Sequence, residues 1–137
     1  MLLMNTNTKG RIAEMIAMTK YLSLGYTVLQ PVNKDGIYDF VIEKDNVFSK
    51  VQVKTLRDME DKYAISFKST SHNRTGNTMK NYSSTDIDLF VGVDIYNNKV
   101  VQIPFNKSNK SEMYLRKDAC EKHSNQHGFN YVKDYEI

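Results

Sequence analysis

A β-hairpin pattern in the first half of the chain constrains the fold most. Two short runs, residues 38–42 (YDFVI) and 51–54 (VQVK), flank a turn centred on residues 45–46 (DN). Antiparallel pairing about this turn places Asp39 directly opposite Gln52. Because successive side chains of a strand point to opposite faces, the pairing also fixes which residues share a face.

The two faces of this hairpin differ in chemistry. One face is apolar and suits a core: Phe40, Ile42, Val51 and Val53. The other face carries Asp39, Val41, Glu43, Phe48, Lys50, Gln52 and Lys54. This second face brings a carboxylate, an amide and an ammonium together, and a nuclease needs such oxygen ligands for a hard cation and a positive charge near a phosphate. Taken alone, the pattern is better explained by an ordinary hairpin whose polar face meets water than by a nuclease site, because Asp and Lys are common on solvated faces.

A helix is predicted before the hairpin. Thr8 is a candidate N-cap and Gly25 a fitting stop at C′, so the helix should span residues 9–24. Its apolar residues wrap most of the circumference, which predicts a largely buried helix. Glu14 therefore needs a partner. That partner is Arg11, three residues earlier, in the simpler interpretation; in the functional one, Glu14 leans over the polar face of the hairpin.

The remaining pattern indicates an α/β order in one domain, residues 1–137. Further strands are predicted at residues 26–30, 38–43, 47–55, 63–68, 87–93 and 99–103. Residues 69–82 have almost no apolar content and are predicted to be a loop, and residues 112–123 a helix. A chain of 137 residues with 40% hydrophobic content is large enough to bury a core.

Positive charge is concentrated in two polar segments. The net charge of +3 is itself a weak indication of nucleic-acid binding. Residues 68–80 contain basic residues and no acidic one, and residues 99–117 contain five Lys or Arg against Glu112 alone. Such segments suit phosphate contacts, although a single cluster of this kind more often serves only solubility.

Cysteine content and the N-terminus bear on the cellular compartment. The single cysteine, Cys120, excludes an intrachain disulfide and favours a reducing compartment. The apolar start, residues 1–4, is too short for a signal sequence or a membrane span, so we expect a cytoplasmic protein without membrane association. Cys120, His123 and His127 have C-x2-H-x3-H spacing, but without a second cysteine we interpret this as chance.

Several short motifs, in this order and spacing, resemble those of the PD-(D/E)XK nuclease superfamily. They are KGRIAE at 9–14, LGYTV at 24–28, Asp39, and QVK at 52–54. Archaeal Holliday-junction resolvases have a similar K-G-R-x-x-E helix, G-[FY]-x-V strand, Asp and E-V-K. Small homing endonucleases of cyanobacterial group I introns are closer still, since they carry Q-V-K and a downstream segment resembling residues 82–91. The resemblance covers residues 8–105.

The resemblance implies a restriction-endonuclease-like core, in which a central mixed β-sheet carries a buried N-terminal helix and flanking helices. It also implies a DNA endonuclease that depends on Mg²⁺, with Mn²⁺ as a substitute. Asp39 would be the central metal ligand, with a side-chain oxygen from Gln52 and the backbone carbonyl of Val53. Glu14 would hold the metal directly or through water. Lys54 would orient the attacking water and offset phosphate charge.

Two positions depart from the family pattern. Tyr38 replaces the Pro of the superfamily name, which costs little because Pro ligates nothing. Gln52 replaces the commoner Glu, and its amide oxygen can coordinate Mg²⁺ but adds no charge. Gln52 is therefore the best argument for a catalytically inactive DNA-binding subunit, whereas the intact Glu14, Asp39 and Lys54 argue against one. A site-specific homing-type enzyme and a Holliday-junction resolvase both stay open.

The expected partner is duplex or branched DNA. Candidate phosphate contacts are Lys9, Arg11, Arg74 and Lys80, and candidate base contacts are Ser71, His72, Asn73 and Arg74. One chain offers one site, and one site cuts one strand at a time. A homodimer or a higher symmetric oligomer is therefore expected.

Overall fold

The computed structural model describes residues 3–33, 36–73, 76–108, 110–118 and 129–137, and only the backbone of 70–73 and 76–80. Its elements are helix α1 Thr6–Ser23 and strands β1 Thr27–Leu29, β2 Phe40–Lys44, β3 Val47–Thr55, β4 Arg57–Asp58, β5 Lys62–Ser66, β6 Lys68–Asn73, β7 Gly76–Asn81, β8 Leu89–Asp94, β9 Lys99–Pro104, β10 Glu112–Arg116 and β11 Asn130–Tyr131. Short 3₁₀ turns follow β9 and β11, at Phe105–Lys107 and Val132–Asp134.

A mixed five-stranded sheet forms the centre of the fold, in the order β1-β2-β3-β8-β9. Strands β3 and β8 are parallel, whereas the other neighbours are antiparallel. Helix α1 packs on one face through buried Ala13, Ala17 and Tyr21. The predicted α/β class, with an N-terminal helix on a central mixed sheet, is confirmed. The predicted flanking helices are not found within the described residues, where α1 is the one α-helix and a second sheet is present.

The predicted hairpin register is confirmed along β2 and β3, where Phe40 pairs with Val51 and Lys44 with Val47. The turn holds two residues with positive φ, Asp45 at 52° and Asn46 at 64°. This conformation suits a two-residue hairpin turn, because its twist matches that of the flanking strands.

The second sheet covers the opposite face of the central sheet, in the order β11-β10-β5-β4. Its buried side chains, among them Ile65 and Leu115, share a core with Phe90, Val101 and Ile103 of the central sheet. The two layers meet closely at Gly92, where a Cβ atom would lie 2.6 Å from a Leu56 methyl carbon.

Two predicted elements are wrong. Residues 69–82 contain an antiparallel hairpin, β6–β7, rather than a loop. Residues 112–116 form strand β10 rather than the start of a helix, because Met113 and Leu115 alternate inward and pair this strand with β5. The rest of the predicted helix lies largely outside the described residues.

Helix α1 differs from prediction at its start and on its outer face. Asn5, not Thr8, is the N-cap, since its side-chain oxygen accepts the Thr8 backbone N–H at 2.8 Å. The helix is buried on one side only, and the Met15 and Leu22 side chains are exposed. Gly25, at φ 88°, ends the helix as expected. Among the described residues, no helix combines the length and hydrophobicity that crossing a bilayer requires.

Candidate active site

Asp39 lies just before strand β2 and is fixed to strand β3 by two hydrogen bonds. Its backbone N–H donates to the Val51 carbonyl at 2.8 Å, and its carboxylate accepts the Val53 N–H at 2.7 Å. The ladder itself ends at the Phe40–Val51 pair, so these bonds lie just beyond it. Their partners, Val51 and Val53, are the two neighbours of Gln52 in the chain, so Asp39 is held beside this part of β3.

Glu14 of helix α1 meets Asp39 at this face. Burial raises the pKa of Asp39 to about 7, and the charge of Glu14 and a hydrogen bond between the two side chains act in the same direction. The Val53 N–H and the Lys54 charge oppose this rise in pKa. Glu14 also accepts a bond from Arg11 at 2.6 Å. Glu14 therefore pairs with Arg11, as the simpler interpretation predicts, and also interacts with Asp39, as the functional interpretation predicts.

Lys54 projects from β3 on the same face as Gln52 and is half-buried. Its ammonium donates to the Lys68 carbonyl at 2.9 Å and to the Tyr82 hydroxyl at 3.4 Å. Burial lowers the pKa of Lys54, and the negative charge of Asp39 partly offsets this. The site therefore holds the Lys54 ammonium near the carboxylates of Asp39 and Glu14.

The oxygen atoms at this site suit a hard divalent cation. They are the carboxylates of Glu14 and Asp39, the Gln52 amide oxygen and the Val53 carbonyl. The Gln52 amide nitrogen makes only a long contact, 3.5 Å, with that carbonyl. Within the described residues no group of three or more His, Cys, Asp or Glu could hold a metal. An ion here would thus depend on the amide and backbone oxygens as well as the two carboxylates.

A cavity of about 240 Å³ opens beside the two carboxylates. Its lining comprises Arg11, Glu14, Gln30, Pro31, Asn33, Gly36, Tyr38 and Asp39. The guanidinium of Arg11 and the carboxylates thus face one space, and this pairing suits a metal-bridged phosphate.

A second concave surface, here called the basic groove, consists of two adjoining cavities of about 590 and 480 Å³. The cavities share Asn106 and Lys110. Basic residues of the groove are Lys62, Lys68, Lys107, Lys110 and Arg116. Its one acidic residue among those described, Glu112, already pairs with Arg57 at 3.5 Å. The groove also includes Tyr82, so it reaches the neighbourhood of Lys54.

The other predicted DNA contacts are only partly described. Lys9 and Arg11 lie in the first turns of helix α1, and Arg11 contacts Glu14 at the site. Ser71, His72, Asn73 and Lys80 belong to the β6–β7 hairpin, where only the backbone is described. Arg74 lies outside the described residues, as do Cys120, His123 and His127.

Sequence reasoning did not identify Tyr82 and the Lys68 carbonyl as neighbours of Lys54. Both flank the β6–β7 hairpin, and the sequence predicts a loop there because the segment lacks an apolar face. The one available signal is that aromatic residues, Phe67 and Tyr82, bracket the polar stretch.

Comparisons with known proteins bear on the family and the fold. A family described as PD-(D/E)XK endonuclease matches residues 4–137. Protein 5.3 of Escherichia phage T7 is 46% identical over 46 residues, a segment that spans 34% of this chain and 39% of the phage protein. The solved structure of the bacterial homing endonuclease I-Ssp6803I has the same fold, with a TM-score of 0.77 and 24% identity over 97% of this chain and 89% of that one.

Proposed function

Because the chain belongs to the PD-(D/E)XK endonuclease family, we propose that it is a divalent-metal-dependent endonuclease that cuts DNA at specific sites. Nucleases of this family use divalent metal ions, and the ion proposed here is Mg²⁺, with Mn²⁺ as a substitute. The observation that carries the proposal is the meeting of Glu14, Asp39 and Lys54 on one half-buried face beside Gln52.

The metal would be held by Asp39, Gln52, the Val53 carbonyl and Glu14. All four groups offer oxygen, which Mg²⁺ prefers. The pKa of Asp39 is raised chiefly by burial and further by the charge of Glu14, and a bound cation would stabilise the ionised form of both carboxylates. When bound, the ion supplies Lewis acidity that activates water and neutralises phosphate charge.

Lys54 stabilises the reacting phosphate and orients the attacking water. The water oxygen bonds to phosphorus and gives up one proton to solvent, one phosphorus–oxygen bond of the backbone breaks, and the departing oxygen takes up one proton from solvent. Negative charge grows on the phosphate during this exchange, and the ammonium of Lys54, which is held by the Lys68 carbonyl, would offset it. A preorganised charge of this kind typically accounts for ~10²–10³ in rate.

The β6–β7 hairpin is the proposed DNA-reading element. A two-stranded ribbon fits the major groove of DNA, where base edges are distinguishable. Ser71, His72, Asn73 and Arg74 would contact bases, whereas Lys9, Arg11, Arg74 and Lys80 would contact phosphates. The basic groove offers a further path for the backbone near Lys54.

A site-specific duplex enzyme is preferred over the alternatives because the homing endonuclease structure resembles this chain over nearly its full length. A Holliday-junction resolvase is the second candidate, favoured by the KGRIAE helix motif at 9–14. A catalytically inactive DNA-binding subunit is the third, favoured by Gln52. The single domain, the cytoplasmic location and the symmetric dimer are part of the same proposal.

A substrate comparison tests the proposal. The purified protein is incubated with Mg²⁺ or Mn²⁺ on a duplex library, single strands and a four-way junction, and new DNA ends are sequenced. We expect duplex cleavage at defined positions that EDTA abolishes. Symmetric cutting of the junction alone would favour the resolvase. Binding without cleavage in either metal would favour the inactive subunit and overturn the proposal.

A further inference from the structure

The β6–β7 hairpin is anchored to the protein core at its base. Phe67 precedes β6 and Tyr82 follows β7, and the innermost pair of the hairpin is Lys68 with Asn81. Both aromatic rings pack against Phe90, with centroids 4.8 and 5.5 Å away. Phe90 is fully buried, so the hairpin emerges from a rigid aromatic base.

The Lys54 ammonium is bound to this same base. It donates to the carbonyl of Lys68, the first residue of β6, at 2.9 Å and to the Tyr82 hydroxyl at 3.4 Å. It also lies 5.2 Å from the centroid of the Tyr82 ring, within reach of a cation–π contact. The described hydrogen-bond and ring partners of this ammonium therefore come from the two ends of one hairpin.

These contacts matter because Lys54 has a long, flexible stem and is half-buried. A lysine ammonium is a compact charge with many rotamers, so its position depends on the partners that hold it. Without them, a half-buried ammonium would turn toward water or toward the carboxylates of the site. Either movement would displace it from the reacting phosphate.

We propose that Tyr82 is a positioning residue that holds the Lys54 ammonium in place for cleavage, through its hydroxyl and the face of its ring. The inference rests on the proposed role of Lys54 in hydrolysis. One consequence is that DNA seated on the β6–β7 hairpin is coupled to the active site, because the base of the hairpin carries the partners of Lys54.

Two substitutions separate the hydroxyl from the ring. Tyr82→Phe keeps the packing on Phe90 and the ring beneath Lys54 but removes the hydroxyl, which contacts Lys54 and also hydrogen-bonds Ser69. We expect kcat to fall about tenfold, as for a lost hydrogen bond to a charged group. Tyr82→Leu removes both contacts, and kcat should fall by about 10². The KM for DNA should change little in Tyr82→Phe.

The chain offers a matched control at Tyr26. The Lys44 ammonium lies 5.0 Å from the centroid of its ring and donates to the Leu24 carbonyl at 3.1 Å, so the ring contact and the carbonyl bond are matched. The contacts described for Lys44 include no bond to the Tyr26 hydroxyl. Tyr26→Phe should leave kcat unchanged.

A double-mutant cycle distinguishes positioning from simple anchoring of the hairpin. Single-turnover rates are compared for Tyr82→Phe in the wild-type and Lys54→Ala backgrounds. If Tyr82 acts through Lys54, the substitution slows the wild type but has no effect once Lys54 is gone. Equal slowing in both backgrounds would overturn the proposal.

A measurement independent of cleavage completes the test. The lysine Cε–Hε NMR signal of Lys54 is assigned by its loss in Lys54→Ala, and it should shift in Tyr82→Phe while that of Lys44 stays unchanged. Tyr26→Phe keeps the ring beside Lys44 and should leave the Lys54 signal unchanged. An unmoved Lys54 signal in Tyr82→Phe would contradict the proposal. Because this measurement needs no activity, it tests whether Tyr82 holds the Lys54 ammonium even if the wild-type protein proves unable to cut DNA.

Discussion

The raised pKa of Asp39 predicts an unusual pH dependence of stability. In the metal-free protein, burial and the neighbouring Glu14 raise the pKa of Asp39 from 3.8 to about 7. The folded state then binds a proton more tightly than the unfolded state, so stability falls as pH rises between these values. Asp39→Asn removes the titration and can still accept the Val53 N–H. The free energy of unfolding of the variant should therefore rise relative to that of the wild type as pH rises. The difference should reach its full size above pH 7.

The size of this effect follows from the shift. About three pKa units at 1.36 kcal/mol each give an upper limit of about 4 kcal/mol between pH 4 and 8. Urea unfolding in EDTA, at intervals across this range, measures the difference between variant and wild type. Added Mg²⁺ should stabilise the wild type more than Asp39→Asn, because the ion neutralises a carboxylate that the variant lacks.

Asp86 provides a control of opposite sign. Its exposed carboxylate accepts hydrogen bonds from Ser83, which lower its pKa, so Asp86→Asn should lose stability relative to the wild type as pH rises from the acid range. A constant difference between Asp39→Asn and the wild type at all pH values would refute the reasoning. The reasoning would also be refuted if the free energy of unfolding of the wild type rose relative to that of the variant between pH 5 and 7.

Three further predictions concern the metal ligands, the DNA contacts and the assembly. Gln52→Glu should keep cleavage activity and change metal preference, whereas Gln52→Ala should lose most activity; equal rates in a metal-titrated assay for all three proteins would show that residue 52 is no ligand. Neutralising Arg74 and Lys80 together should flatten the salt dependence of DNA affinity by roughly one unit of slope per lost phosphate contact, and an unchanged slope would return these residues to a solvated surface. Light scattering at micromolar concentration, with and without DNA, should give a dimer; a monomer in both states that still makes double-strand breaks would contradict the symmetric assembly.

The hairpin that carries Asp39 and Gln52 was predictable because its determinants are local. A two-residue turn fixes the register, and the register places both residues on one face. The apolar alternation of Phe40 and Ile42 against Val51 and Val53 then decides which face is buried. Local rules therefore place most of the candidate site before any tertiary contact is known.

The elements that were missed depend on long-range packing. The strands β6 and β7 carry no apolar face. Neither the alternation typical of a strand nor the periodicity typical of a helix therefore distinguishes their sequence from a loop. Strand β10 offers only Met113 and Leu115 as inward residues, too few to outweigh a helical pattern, and its pairing partner β5 is distant in sequence. The exposed side of α1, with Met15 and Leu22, was unpredictable because an apolar residue on a surface leaves no mark in the sequence.

The central claim is that Asp39 and Lys54 act on the reacting phosphate rather than on DNA binding. The direct measurement compares cleavage rate and DNA affinity of the wild type, Asp39→Ala and Lys54→Ala with Mg²⁺ on one duplex target. We predict that each substitution lowers the cleavage rate by at least ~10²–10³ and leaves the dissociation constant for DNA nearly unchanged. Cleavage at the wild-type rate by either variant would contradict the assignment of the active site.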